Sequence, residues 1–408
     1  MDEPTSGIRR VAFKIRSKGP GWIVRRLAAE VSQPTTPPGR LAHRLARNAT
    51  TLAAALPRRL HAMAVPKPED AARTLFAFYD LQVSPITFDF LWFLVGADLE
   101  RRRRGLEAVH VVIVPGRAGG VRREREDYEG VVDAEARTQR IFNILLPACA
   151  LLPTCAGVTH AASRRHAGFI RSTLASHLYP AHYEPAVPVF AGSRECLANA
   201  GPDMQRVPSL RATGESLRNV DQWAASHAGG RRIVAITLRN YSYMPARNSN
   251  TEAWTGFARS LDSTRFMPVF IPDLEQTLNG QLHELQGHAV LGEAAWNLGL
   301  RMALYERAYI SLGVNTGPMG LCWLNARTNY ATLKMAPEHV PQTSRAFYLE
   351  LGFEPGRSLP FAASTQELVW EDDTLAAIQR AFSRIAERIE GSNVAARDAP
   401  LDNAPRTP

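Results

Sequence analysis

The chain has 408 residues, 45% hydrophobic and 21% charged, a soluble globular composition with room for two full cores. Its net charge of +9 suggests a nucleic-acid partner, but residues 1–66 hold 12 Lys or Arg against 3 Asp or Glu, while residues 67–408 hold 36 of each sign. The main body is therefore neutral, and with no aromatic-interleaved basic stretch or known motif, no nucleic-acid partner is expected.

Residues 1–66 form a basic extension with prolines at Pro34, Pro37 and Pro38 and two weak amphipathic stretches, Ile8–Val31 and Leu41–Met63. Two readings stand: an anchor on anionic lipid, or a solvated, disordered leader. Arg9, Arg10, Lys14, Arg16 and Lys18 interrupt any apolar signal core, so the expected location is the cytoplasm, at the inner membrane face if the anchor reading holds.

From Thr74 strands alternate with helices. TLFAFYDL (74–81) reads as a buried strand, Ser84 and Pro85 as the cap and first turn of a helix over Ile86–Arg104, and VHVVIV (109–114) as a strand covered on both faces. A glycine-rich charged loop, 115–130, precedes a helix capped by Asp133 and running through Leu152. The long uncharged run Ile141–Ser163 is broken by Pro147 and Pro153, so it reads as the end of that helix and a buried strand near 157–160 rather than a membrane span. Another helix reaches about Leu178. Residues 179–220 show weak periodicity and read in part as a linker.

A second set follows: strands at 232–238, 266–271, 308–312 and 329–334, helices at 251–261, 294–307 and 318–324, and a closing helix to about Glu390. Glu371, Asp372 and Asp373 read as charges favouring that helix's N-terminus. The expected organisation is an α/β chain with an extension (1–66), a Rossmann-like lobe with linker (67–220), a second Rossmann-like lobe (221–390) and a disordered tail (391–408). The four cysteines, Cys149, Cys155, Cys196 and Cys322, have no zinc-like spacing.

Two strand-to-helix loops concentrate chemistry. After the strand ending at Leu312, Asn315, Thr316 and Gly317 lead to Pro318, Met319 and Gly320. This pattern aims backbone N–H groups and a hydroxyl at an anion, with glycines permitting close approach; the plainer reading is a simple turn. After the strand ending at Leu238 come Arg239, Asn240, Tyr241, Tyr243, Arg247, Asn248, Ser249 and Asn250, side chains suited to phosphate, sugar edges and stacking. The competing reading makes Ser249 or Asn250 a helix cap. Asp273 and Glu275 follow a third strand and read either as ribose or base contacts or as helix initiators. Gly-x-Ser-x-Gly, Walker and Gly-x-Gly-x-x-Gly patterns are missing from the sequence.

The run Asn315, Thr316, Gly317, Pro318, Met319, Gly320 resembles the Asp-Thr-Gly-Pro-Met-His motif of the donor lobe in heptosyltransferase-like GT-B glycosyltransferases, departing from it at Asn315 and Gly320. The strand leading to Arg239 is similar, over a shorter stretch, to the strand-then-arginine feature of fucosyltransferases with the same two-lobe architecture. The resemblance covers residues 232–335. It implies two lobes facing a cleft and transfer of a sugar from a nucleotide-sugar donor to a hydroxyl on a glycan or lipid-linked acceptor. Arg239 and Arg247 would then stabilise the departing diphosphate. No Asp-x-Asp pair occurs, so the expected reaction uses no metal or other cofactor. Asp80 and Asp89 are the candidate general bases, Asp89 with a pKa raised by its FDFLWF surroundings. The alternatives are a sugar-nucleotide 2-epimerase and a catalytically silent nucleotide-binding protein.

Overall fold

The computed structural model describes residues 36–46, 48–49, 53, 69–117, 120–280, 282–337 and 340–398. Most of the basic extension, and with it the anchor reading, lies outside these residues; within it, residues 37–46 are helical. The chain divides into two compact units. The first comprises Met1–Pro85, Glu100–Arg123 and Ala156–Phe190, the second Ile86–Leu99, Glu124–Cys155 and Ala191–Pro408.

The first unit is built on a four-stranded sheet of β1 (Thr74–Asp80), β2 (Ala108–Val114), β3 (Cys155–His160) and β4 (His177–Tyr179), in the order β3-β2-β1-β4. β1 runs parallel to both β2 and β4, with Leu75 opposite Val109 and His177. The nearly continuous apolar runs of β1 and β2 are buried, as strands covered on both faces must be, and Phe76, Phe78, Val112, Ile170 and Tyr183 form the core beside them. β3 departs from the expected buried strand. It lies at the sheet's edge, and its residues alternate between half-buried and exposed.

The helix expected from Ile86 begins at Phe90 and runs to Arg103. The Tyr79 hydroxyl donates to the Pro85 carbonyl at 2.5 Å, and Thr87 exchanges hydrogen bonds with Asp89, so the turn completes only at Asp89. Asp133 accepts from the Ala136 N–H at 2.8 Å and caps Ala134–Arg140 as expected. That helix continues through a π-helical stretch, Ile141–Leu145, to Leu146–Cys149.

The second unit holds β5 (Arg232–Thr237), β6 (Phe266–Ile271), β7 (Ala289–Val290), β8 (Ile310–Val314), β9 (Tyr330–Leu333) and β10 (Gln366–Leu368), ordered β10-β9-β8-β5-β6-β7 with each neighbouring pair parallel. The chain leaves β5 toward β6 on one side and returns to β8 on the other. This is the strand order of the Rossmann fold, and it places a topological switch point between β5 and β8. Its core joins Val234, Ile236, Phe270 and Leu312 to Phe257 and Phe382 on the covering helices Thr251–Ser260 and Leu375–Asp398.

Residues 179–220 are more ordered than a linker. They contain the Ser193–Ala200 helix and the start of Gly214–His227, which Thr213 caps and a bidentate Asp221–Arg307 pair ties to Leu298–Arg307. Gly214–His227 buries only Val220 deeply, so its apolar stripe is too thin to stand out. The expected tail is also shorter than predicted: the closing helix continues past Glu390 to Asp398, ending on Ala395, Ala396 and Arg397 before Asp398, with Pro400 the next breaker. Residues 399–408 lie outside the described region.

Candidate active site at the ends of β5, β8 and β9

Parallel α/β sheets bind ligands beyond the carboxyl ends of their strands, at the switch point. In the second unit that place is occupied by the loop after β5. Arg239, 5% exposed, donates from its guanidinium to the carbonyls of Tyr243 (2.5 Å) and Met244 (3.1 Å) and to Asn248 Oδ1, while its N–H donates to Ser249 Oγ at 2.9 Å. Met244 has φ 56°, a left-handed conformation costing on the order of 1–3 kcal/mol, and its carbonyl is held by both the Arg239 side chain and the Arg247 N–H. Arg239 thus organises the loop rather than presenting a free fork. Its hydrogen-bond partners are all uncharged oxygens, and burial, followed by repulsion from Arg247, lowers its pKa to about 10.

Asn248 is the loop's second staple, accepting from the Tyr241 N–H (3.1 Å) and donating to the Tyr241 carbonyl (3.1 Å). Asn250 caps Thr251–Ser260 through the Ala253 N–H, as the plainer reading held. Tyr241 Oη accepts from Arg140 at 3.1 Å, and Arg140 also reaches Tyr128 Oη at 2.8 Å. The Tyr128 ring meets the Tyr243 ring edge-on at 5.1 Å. Asn240 is exposed, and its N–H donates to Asp273 Oδ2 at 3.3 Å.

Arg247 spans the switch point. Its Nη2 donates to the Asn315 carbonyl at 3.0 Å, tying the loop after β5 to the loop after β8, and its Nε is buried without a hydrogen-bond partner. Burial pulls its pKa down, opposed by charge interactions with Tyr348, Asp89 and Tyr243. A buried guanidinium N–H without an acceptor is costly, and an oxyanion would satisfy it.

The loop after β8 differs from its sequence reading. The Asn315 side chain is buried and donates to the Met335 carbonyl (3.0 Å) and to Tyr348 Oη, so it is structural. Thr316 is half-buried and does not cap the turn that follows. The expected helix from Pro318 is a 3-10 turn, Gly317–Met319, followed by Gly320–Trp323, too short to supply the N-terminal phosphate seat foreseen. Nor do the glycines make room for a ligand. A Cβ on Gly317 would lie 2.6 Å from the Phe88 ring and one on Gly320 3.3 Å from Leu91, while Met319 is core.

Asp89 is exposed, so its apolar neighbours in sequence do not desolvate it. Asp80 is fully buried, paired with Arg164 at 2.7 and 2.8 Å and accepting from the Tyr183 hydroxyl at 2.5 Å. Both carboxylate oxygens of Asp80 are therefore engaged in structural contacts. Glu275 is exposed on Leu274–Leu278, the helix that Asp273 precedes.

Burial is the main cause raising the pKa of Asp273. The native state thus binds that proton more tightly than the unfolded chain, so Asp273 costs stability at neutral pH, and the cost fades as pH falls through its native pKa. Asp273→Asn is expected to raise the melting temperature at pH 7 and to lose that advantage toward pH 4. Parallel melts of both proteins across this range check it.

Lys334 has no assigned role in the sequence reading, and Asp373 has a different one. Lys334, φ 55° at the end of β9, donates to the Asn248 carbonyl at 3.0 Å and pairs with Asp373 at 3.2 Å. Asp373 is not a helix-dipole charge: its other oxygen accepts from the Asn250 N–H (2.7 Å) and Trp254 Nε1 (2.9 Å). One signal was available, because Lys334 is one of only two lysines beyond residue 66 in an arginine-rich chain.

No family model matches the sequence, and no curated protein matches it. Solved structures to which the chain is similar include a family 9 glycosyl transferase from Veillonella parvula, at 12% identity over 77% of this chain and 97% of that one, TM-score 0.41. Another is the ADP-heptose LPS heptosyltransferase II of E. coli, at 10% identity over 78% and 99%, TM-score 0.44. A third is the UDP-GlcNAc 2-epimerase of Neisseria meningitidis bound to UDP-GlcNAc, at 11% identity over 78% and 92%, TM-score 0.34. At these identities and scores, the functional reading rests on the chain's own residues.

Proposed function

We propose that the chain is a GT-B-type glycosyltransferase that moves a sugar from a nucleotide-sugar donor to a hydroxyl of a glycan or lipid-linked acceptor, without a divalent metal. The observation that carries this reading is Arg247, a half-buried cation at the switch point whose buried Nε is unsatisfied. In the transfer, the acceptor oxygen bonds to the sugar's C1, the C1–O bond to the diphosphate breaks, and the acceptor's proton passes to a base. Arg247 stabilises the charge growing on the leaving diphosphate, with the field of Arg239 behind it. Asp89 is the base in this scheme, because it is exposed and its charge acts on Arg247, whereas Asp80 is engaged in its ion pair. Asn240, Tyr241 and Asp273 are the proposed donor contacts, and Thr316 contributes its hydroxyl. Work at the inner membrane face in cell-surface glycan synthesis belongs to the same reading, supported by the positive surplus of residues 1–66. Among the described residues no helix is long and apolar enough to cross a membrane.

The test is a thermal-shift screen against UDP, GDP, CMP, ADP and dTDP with EDTA present. A ligand at 100 times its Kd stabilises the folded state by about 2.7 kcal/mol. One selective nucleotide should raise the melting temperature, and transfer should then require the acceptor. A response to none of the five overturns the reading, and sugar-nucleotide turnover without acceptor replaces it with the epimerase.

A further inference from the structure

The segment TPPGRLAHRLA, residues 36–46, builds a helix from its own end chemistry. Thr36 Oγ1 accepts from the Gly39 N–H at 3.1 Å and the Thr36 carbonyl from the Arg40 N–H at 2.9 Å, while Pro37 stands at the first helical position. The helix is turned the unusual way round. Gly39 and His43 are buried and Ala42 and Ala46 half-buried, whereas Arg40, Leu41, Arg44 and Leu45 are exposed, Leu41 at 58% and Leu45 at 61%. This spacing follows the helical period of about 3.6 residues, so two leucines and two arginines share one outward face. Single exposed leucines are common in folded proteins. Among the described residues, however, this is the only pair of exposed large apolar side chains one helical turn apart.

We propose that this face docks on an anionic lipid bilayer, with Leu41 and Leu45 entering the boundary between headgroups and acyl chains and Arg40 and Arg44 meeting acidic headgroups. The inference deepens the membrane-face part of the proposed function and rests on that part, not on the transfer of a sugar. Charge selects the occupant. Residues 1–66 hold 12 Lys or Arg against 3 Asp or Glu, while residues 67–408 hold 36 of each sign, so the surface that complements this helix and its flanks is acidic. A bilayer also covers an outward leucine pair without needing a matching protein groove. One apolar pair on a short helix binds weakly by itself, and each basic residue near an anionic surface strengthens partition about fivefold.

The test sediments the full chain, without nucleotide, with vesicles of phosphatidylcholine alone and with vesicles of phosphatidylcholine and phosphatidylglycerol in equal parts. The chain should partition onto the mixed vesicles, far less onto the neutral ones, and less onto either as salt rises. Arg40→Gln with Arg44→Gln should lower partition onto the mixed vesicles about 30-fold, the product of two charges. Leu41→Ser with Leu45→Ser should lower it about tenfold or more, through lost apolar burial. All four side chains are exposed, so both double variants should melt with the parent. Equal partition onto the two vesicle types, partition onto neither, or partition unchanged by either double substitution overturns the proposal. So does self-association that the leucine substitutions abolish in a chain that binds no vesicle, because a second copy of the chain then covers the face. The assay contains no nucleotide and measures no transfer, so its failure and the failure of the glycosyltransferase reading are read from separate experiments.

Discussion

Arg247→Ala is expected to lower the rate of transfer by about 10²–10³, the effect of removing one preorganised donor to a developing oxyanion, about 2.7–4 kcal/mol. The fold should hardly notice. Among the described residues the Arg247 side chain makes one hydrogen bond to oxygen, the Asn315 carbonyl, whose loss costs about 1 kcal/mol or less, offset by removing a buried unsatisfied Nε. Arg239→Ala is expected to behave oppositely: it strips donors from Tyr243, Met244 and Asn248 and releases the left-handed turn at Met244, so stability and nucleotide response fall together. Kinetics and melts of both variants separate the cases. Wild-type turnover by Arg247→Ala removes that residue from the mechanism.

Asp80→Ala should cost stability rather than chemistry. It leaves Arg164 in place with its carboxylate gone and deprives Tyr183 Oη of its acceptor, and breaking a buried pair by deleting one partner costs about 3–5 kcal/mol. Against a total of about 5–15 kcal/mol, that is a large fraction. Urea unfolding measures it. A variant as stable as the parent but without turnover would restore Asp80 as the base and displace Asp89.

How the site was reached separates two kinds of information. Each β-branched or apolar run, such as VHVVIV and RIVAIT, and caps such as Asp133 and Asn250, depend on residues near in sequence, so periodicity and end chemistry identify them. The two-residue β7 and three-residue β10 escape, being too short to carry a period. For the same reason the loops after β5 and β8 could be named as the places of interest.

What each side chain in them does was not local. FDFLWF put Asp89 among apolar neighbours in sequence, yet the helix starting at Phe90 turns those neighbours inward and leaves Asp89 exposed. Gly317 and Gly320 carried the signature of phosphate approach, but Phe88 and Leu91 fill the space they leave. Arg239 and Arg247 lie eight positions apart with the same chemistry; only the fold turns one onto its own loop's carbonyls and leaves the other with an unanswered Nε. By itself the sequence determined the alternating elements, the two parallel sheets and the loops at their strand ends, because hydrophobic periodicity and capping act over a few residues. The tertiary structure alone decided which charges are spent on the fold and which remain for a ligand, because burial and pairing depend on residues far apart in the chain.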